Sequence, residues 1–260
     1  MSSPLTCVYV LNLEHRYVRM ALTSLASLRS FDADVRVVVK VADHPRRVAG
    51  DQAARHRFFD MVDEVEYIPP AAGDYFPANK TVLREIDAER IVFIDADTIF
   101  FRSVRSLDRR FAGFDVAASP SPWVWRHGYE RTFAPDIYLP LNSGLVVMSR
   151  AFAQTWGTVN ATRPTALLSD PTRASLINWL RSVNEGAWPR GDLTFSELAW
   201  NGDWSVGLMG PEDCYLLPRW PNEEDPASWL STTVLHTYSH LWSACVARLQ
   251  TAGWVDPANS

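Results

Sequence analysis

Two aspartates separated by a single residue break an apolar run in RIVFIDADTIF, residues 90–100. Asp95 and Asp97 place like charges within a few ångströms of each other at the edge of a segment that otherwise reads as a buried strand, an arrangement that a counter-cation relieves. Three chemistries use such a pair. In a turn or helix cap the carboxylates accept local backbone hydrogens. In covalent catalysis Asp95 is the nucleophile and Asp97 its acid/base partner, a pattern that the string IDADT fits. In a carboxylate clamp the pair holds Mg²⁺ or Mn²⁺, hard cations that take oxygen ligands, across the phosphates of a bound molecule.

Residues elsewhere weigh on that choice. Covalent use of Asp95 resembles the haloacid dehalogenase phosphatases, which need a basic residue downstream to steady the phosphoryl group. The chain has two lysines, Lys40 and Lys80, so no lysine follows Asp97, and the aspartates also lie far from the N-terminus for that pattern. The clamp finds more company. Lys80 precedes the pair, Asn142-Ser143-Gly144 opens the run LNSGLVVM, and VLHTYSH brings His236 and His240 near the C-terminus. An imidazole beside carboxylates suits Mn²⁺, and His240 competes with His236 because the HTYSH spacing also fits one helix face. Glu197 in SELAWN and Asp192 in RGDL supply two further carboxylates; Glu197 also closes Thr194-x-x-Glu197, the pattern of a capping box.

The elements that must position these residues alternate. CVYVLNLEH reads as a strand, YVRMALTSLASLRSF as a helix with Val18, Leu22, Leu25 and Leu28 at helical spacing, and DVRVVVKVAD as a second strand. That unit opens a parallel α/β sheet. A short strand follows near Val65 to Ile68, and PANKTVLREIDAE reads as a helix capped near Asn79 that carries Lys80 and Arg84 on one face at i, i+4. RIVFIDADTIF is the next strand, so the aspartates fall at a strand's carboxyl end, where open α/β sheets bind ligands. Residues 115–140, rich in Pro and aromatics, read as a loop that forms a lid or faces a second substrate; NSGLVVMSR reads as a turn feeding a strand. Helices are expected between Ala151 and Trp188, one around Ala174 to Val183, and again from TFSELAWN, with a strand ending near His236.

Composition bounds the rest. A chain of 260 residues, 47% hydrophobic and 21% charged, can close one large core. A net charge of -5 with scattered basic residues leaves no footprint for nucleic acid. No apolar run approaches the roughly 20 residues that span a bilayer, so a cytoplasmic location is the default expectation. Cys7, Cys214 and Cys245 are too few and too far apart for a disulfide framework. The 11 tryptophans include several that would suit stacking on sugar rings.

Taken in order, these motifs resemble glycosyltransferase family 8, retaining nucleotide-sugar transferases of the glycogenin and bacterial galactosyltransferase kind, from about Thr6 to Trp242. The resemblance implies a GT-A type α/β fold: one domain, 1–260, with a nucleotide-binding half to about residue 100 and an acceptor-binding half after it. It implies a UDP-sugar donor whose base and ribose lie against Leu11, Asn12 and Tyr17. Lys80 and, more weakly, Arg84 approach the donor's phosphates and sugar, with Asp95 and Ala96 of the aspartate motif and Asn142, Ser143 and Gly144 as further donor contacts. Asp95, Asp97 and His236 are implied as ligands of Mn²⁺ or Mg²⁺. Glu197 falls where the family has a glutamine near the sugar's reactive carbon, and Asp192 is an alternative match to the family's aspartate. The chain departs from the pattern after His236, where HLWSACVARLQ lacks the family's Lys-Pro-Trp, so that the lysine's phosphate contact is either lost or supplied by an arginine such as Arg248. The expected reaction is transfer to a hydroxyl acceptor, a small molecule or oligosaccharide; the rival of another class is a non-catalytic nucleotide- or carbohydrate-binding module. A homodimer is compatible with the sequence, which does not set the oligomeric state.

Overall fold

In chain order the elements are β1 (Leu5–Leu11), α1 (His15–Phe31), β2 (Arg36–Val41), α2 (Gln52–Asp60), β3 (Glu64–Tyr67), a 3-10 helix (Lys80–Glu85), β4 (Arg90–Ile94), β5 (Thr98–Phe100) and α3 (Val104–Arg110). They continue as β6 (Val116–Pro120), β7 (Leu141–Ser149), α4 (Arg150–Thr162), α5 (Arg190–Asn201), β8 (Val206–Leu208), β9 (Cys214–Leu216), α6 (Pro226–Trp229), β10 (Val234–His236) and α7 (Trp242–Thr251). The computed structural model describes residues 5–42, 52–68, 80–121, 141–162, 190–217, 226–237 and 241–255. The helix expected around Ala174 to Val183, the cap near Asn79, most of the expected 115–140 loop and His240 lie outside the described residues.

The larger sheet has the order β3-β2-β1-β4-β7-β6-β8. Its first four strands are parallel, in the register Cys7↔Val37 and Cys7↔Val92, whereas β7 runs antiparallel to both β4 and β6. The central strands are apolar on both faces because helices cover both. Cys7, Tyr9, Val37, Val39, Val92 and Ile94 pack with Val18, Leu22, Leu25 and Leu28 of α1 and with Phe58 of α2. Val8, Val38, Ile91 and Phe93 face the other way, onto Phe152 and Trp156 of α4 and Phe195 of α5. Since β2 flanks β1 on one side and β4 on the other, the strand order reverses at β1, and a crevice opens beyond its carboxyl end.

A second, three-stranded sheet, β5-β10-β9, carries the late part of the chain back to this crevice. What the sequence suggests as one strand through residues 90–100 is two: β4 ends at Ile94 in the large sheet and β5 begins at Thr98 in the small one, so Asp95-Ala96-Asp97 forms the hinge between sheets. The segment expected as an α-helix around Lys80 is a single 3-10 helix instead. With about three residues per turn, positions four apart no longer share a face, and Lys80 is buried while Arg84 points outward. Gly157 lets α4 close on this turn, since a Cβ there would lie 2.8 Å from both Arg84 N and Thr81 O. Val116–Pro120, read as loop from its prolines and aromatics, is strand β6. Among the described residues no helix is long and apolar enough to cross a membrane.

Candidate active site

The aspartate turn is held by main chain on one side and by a late strand on the other. Asp95 N donates to Gly144 O at 2.7 Å, extending the β4–β7 pairing one residue past Ile94. The antiparallel register His236↔Thr98 between β10 and β5 then sets His236 opposite the turn, 139 residues later in the chain than Asp97. Its Nε2 lies 3.3 Å from Asp97 Oδ1, and one ligand atom each from Asp95, Asp97 and His236 falls within 4.8 Å of the others. His236 is buried, and its Nδ1 makes no hydrogen bond among the described residues.

Gly144 closes the third side. A Cβ at this position would collide with the His236 ring and lie 2.8 Å from Asp95 Oδ2, so only glycine lets β7 approach the cluster. Asn142 folds over the same backbone, its Oδ1 accepting from Gly144 N at 2.9 Å. Ser143 is buried and joins two charges: Lys80 Nζ donates to its Oγ at 2.5 Å and its carbonyl at 3.1 Å, while its N and Oγ donate to Asp192 Oδ1 at 2.9 and 2.6 Å. The Lys80 ammonium lies against two aromatic rings, 4.9 Å from the Phe93 centroid and 5.2 Å from that of Trp156. Such faces stabilise a cation that has left water.

The electrostatics follow from this packing. Burial pushes Asp95 up to about 6, with Lys80 pulling it down and Asp97 pushing it further up. For His236 burial acts to lower the pKa, but the hydrogen bond and charge of Asp97, with Asp95 and Asp192 behind it, win and raise it above 6.5. The cluster thus gathers negative charge around one imidazole, the environment in which a divalent cation replaces protons.

The other residues singled out from the sequence are placed as follows. Leu11 is buried in the core beneath α1, and its carbonyl accepts from Ala42 N at 2.7 Å. Asn12 Oδ1 accepts from Glu14 N at 3.1 Å, shaping the turn into α1. Tyr17 stands in the first turn of α1, where Arg16 stacks on its ring and donates to its hydroxyl. Ala96 packs into two clusters at the hinge between the sheets. Arg84 is half exposed and pairs with its neighbour Glu85 at 3.4 Å.

Helix α5 starts at Arg190, so Thr194-x-x-Glu197 sits inside the helix and is not a capping box. Asp192 and Ser196, one turn apart, share the face toward β7, where Leu141 N donates to Ser196 Oγ at 2.8 Å. Glu197, half-buried, lies about 140° around the helix from Asp192. Arg248 stacks on the Trp229 ring, 5.3 Å from its centroid. Two residues not singled out from the sequence complete the site. Thr237 donates from N and Oγ1 to Asp97 O, and Trp156 walls the Lys80 slot; a helix-spaced aromatic gives no sign of such a role in sequence.

No protein-family model matches the chain, and no curated protein matches it. Among solved structures the chain is similar to the galactosyltransferase LgtC in complex with donor and acceptor sugar analogues, at 14% identity over 96% of either chain with a TM-score of 0.54. It is similar to mouse xyloside xylosyltransferase 1 at 14% identity, over 91% of this chain and 97% of that one, TM-score 0.52. It also resembles the Streptococcus pneumoniae TIGR4 glycosyltransferase GlyE at 11% identity, covering 97% of this chain and 65% of GlyE, TM-score 0.51. With a mostly parallel central sheet flanked by helices and near-complete overlap with the first two of these structures, the chain has the GT-A type fold of glycosyltransferases.

Proposed function

We propose that the protein is a nucleotide-sugar glycosyltransferase that moves a sugar from a UDP-sugar to a hydroxyl acceptor, a small molecule or oligosaccharide, with retention of anomeric configuration. The observation that carries this reading is the convergence of Asp95, Asp97 and His236 against Gly144 at the carboxyl end of β4 in a GT-A type fold. The donor set fits a divalent cation: two carboxylates and an imidazole within 4.8 Å, with the imidazole buried and a glycine where any side chain would fill the space. Mn²⁺ or Mg²⁺ held by these three residues would supply Lewis acidity toward the departing diphosphate.

The chain's own groups do the remaining work. Lys80 spends two of its three N–H donors on Ser143 and keeps one for a phosphate oxygen; its charge, buried against two aromatic rings and little screened, opposes the charge that builds on the leaving group. Asp192, by accepting twice from Ser143, fixes the strand that faces the donor sugar. Glu197 is the candidate carboxylate for the positive charge that grows at the anomeric carbon. Leu11, Asn12 and Tyr17 would border the base and ribose, with Arg84 at the outer margin and Ala96, Asn142 and Gly144 lining the diphosphate and sugar. As the bond from the sugar carbon to the diphosphate breaks and the acceptor oxygen bonds on the same face, the acceptor's proton passes to the leaving phosphate, so no protein base is required.

An active transferase slowly hydrolyses its donor when no acceptor is present. Release of UDP from a panel of UDP-sugars, in Mn²⁺ and absent in chelator, is the expected result, with Asp97→Asn lowering it to background. Tight UDP binding without turnover of any donor would instead mark a binding module.

A further inference from the structure

A file of buried hydroxyls leads from the middle of the large sheet to the backbone of the aspartate turn. Tyr9 Oη lies 2.9 Å from Ser24 Oγ, Ser24 Oγ 2.7 Å from Thr98 Oγ1, and Thr98 Oγ1 3.0 Å from the carbonyl oxygen of Asp95. All three residues are fully buried, on β1, α1 and β5. The hydrogens can be assigned by elimination. A carbonyl only accepts, so Thr98 spends its one hydrogen on Asp95 O. Thr98 Oγ1 must then accept from Ser24, and Ser24 Oγ from Tyr9. The file therefore runs one way, Tyr9 to Ser24 to Thr98 to Asp95, and in a dry interior each bond polarises the next. Burial also drives the Tyr9 phenol far above its ordinary range, against the opposing hydrogen bond to Ser24, so the first donor keeps its proton.

The far end of the turn is tied in the same manner. Thr237 donates from N at 2.9 Å and from Oγ1 at 3.3 Å to the carbonyl oxygen of Asp97. Both aspartates are thus gripped by their carbonyls, and their carboxylates are left to face His236 and the crevice.

We propose that Tyr9, Ser24 and Thr98 are positioning residues that hold the Asp95–Asp97 turn in the geometry that a divalent cation and a diphosphate require; this rests on the function proposed above. A purely structural role would move only the melting temperature. Ser27 is the internal control: its Oγ, on the same face of α1, accepts from Phe100 N at 2.9 Å but stands outside the file.

The test uses the full chain in five variants, Thr98→Val, Thr98→Ser, Ser24→Ala, Tyr9→Phe and Ser27→Ala, with two readouts. One is the affinity for Mn²⁺ alone; the other is metal-free amide hydrogen exchange at Asp95 and Thr237, whose N–H groups donate to Gly144 O and Asp97 O. Thr98→Val is expected to weaken Mn²⁺ about 10-fold and to speed exchange at both amides. Ser24→Ala should do less, Tyr9→Phe about 2-fold, and Thr98→Ser should match wild type. Ser27→Ala should lower the melting temperature and leave Mn²⁺ affinity alone. Unchanged exchange and affinity in Thr98→Val and Tyr9→Phe, or an equal loss in Ser27→Ala, overturns the proposal. If Thr98→Val does not fold, Tyr9→Phe, which keeps the ring, decides. If the wild type binds no Mn²⁺, the proposed function fails, while exchange at the two amides still decides whether the file holds the turn.

Discussion

Gly144 is the residue on which the cluster's compactness depends. An alanine there would drive its methyl into His236 and against Asp95 Oδ2, on a strand that cannot retreat because Asp95 N is bonded to Gly144 O. Gly144→Ala should fold with reduced stability and lose Mn²⁺ binding, which titration of the metal would show; wild-type affinity would mean that the strand gives way. Lys80 acts on both stability and turnover. Lys80→Met keeps the side chain's length against Phe93 and Trp156 but leaves the Ser143 acceptors unpaired, so it should cost about 1–3 kcal/mol in denaturant unfolding and lower donor turnover about 100-fold. Protons report on the same residues. Asp95, raised from 3.8 to about 6, lets the metal-free fold hold a proton that the unfolded chain has released; its stabilising contribution is complete below about pH 4 and lost as pH rises through about 6. His236, raised above 6.5, contributes fully below that value and loses its contribution as pH rises through the folded pKa. A cation competes with both protons, so Mn²⁺ should raise the melting temperature more at about pH 8 than at about pH 5; an equal or larger shift at the lower pH would contradict the assignment. The aspartate pair and His236 were legible in sequence as a motif and a late histidine. Lys80's slot was not, because its walls come from Phe93 and Trp156, 63 residues apart.

At the scale of elements, the parallel strands announced themselves through continuous runs of β-branched residues, and α1 through its spacing. What escaped was whatever depends on a partner distant in sequence. Helix α2, QAARHRFFD, buries only Ala54 and Phe58 and so shows no stripe, and α7 follows a motif that pointed to a different ending. The 3-10 helix at Lys80 has the composition of an α-helix; its tighter winding coincides with α4 pressing on it through Gly157. The break of residues 90–100 into two sheets was invisible for the same reason, since β5 takes its partner from β10. Helix α5 meets β7 through Ser196, which accepts from Leu141 N and so satisfies a buried backbone donor. Ser196→Ala should cost about 1–3 kcal/mol by leaving that donor unpaired, measurable by denaturant unfolding. Because Asp192 shares this face, the same change should raise KM for the donor; a stability loss with unaltered KM would separate the helix's packing from the site.

For the molecule as a whole, the two sheets share one apolar cluster, in which Phe100, Cys214 and Val234 of the small sheet pack with Tyr9 and Ile94 of the large one, and the site lies at their seam. The aspartate turn joins β4 to β5, His236 comes from the small sheet, and Gly144, Ser143 and Lys80 come from the large one and its flank. A ligand that engages all of them should tighten the whole fold. Nucleotide with metal at about 100 times its Kd should add about 2.7 kcal/mol to the stability. In the proposed reaction Asp95, Asp97 and His236 hold a cation for a nucleotide diphosphate, and calorimetric titration of UDP into wild type and Asp97→Asn, each with and without Mn²⁺, checks this. The wild type should bind UDP only when Mn²⁺ is present, and Asp97→Asn should not bind it in either condition. UDP binding that ignores both the metal and Asp97, or no UDP binding at all, would contradict that role and return the IDADT run to the phosphatase chemistry that its aspartates also fit.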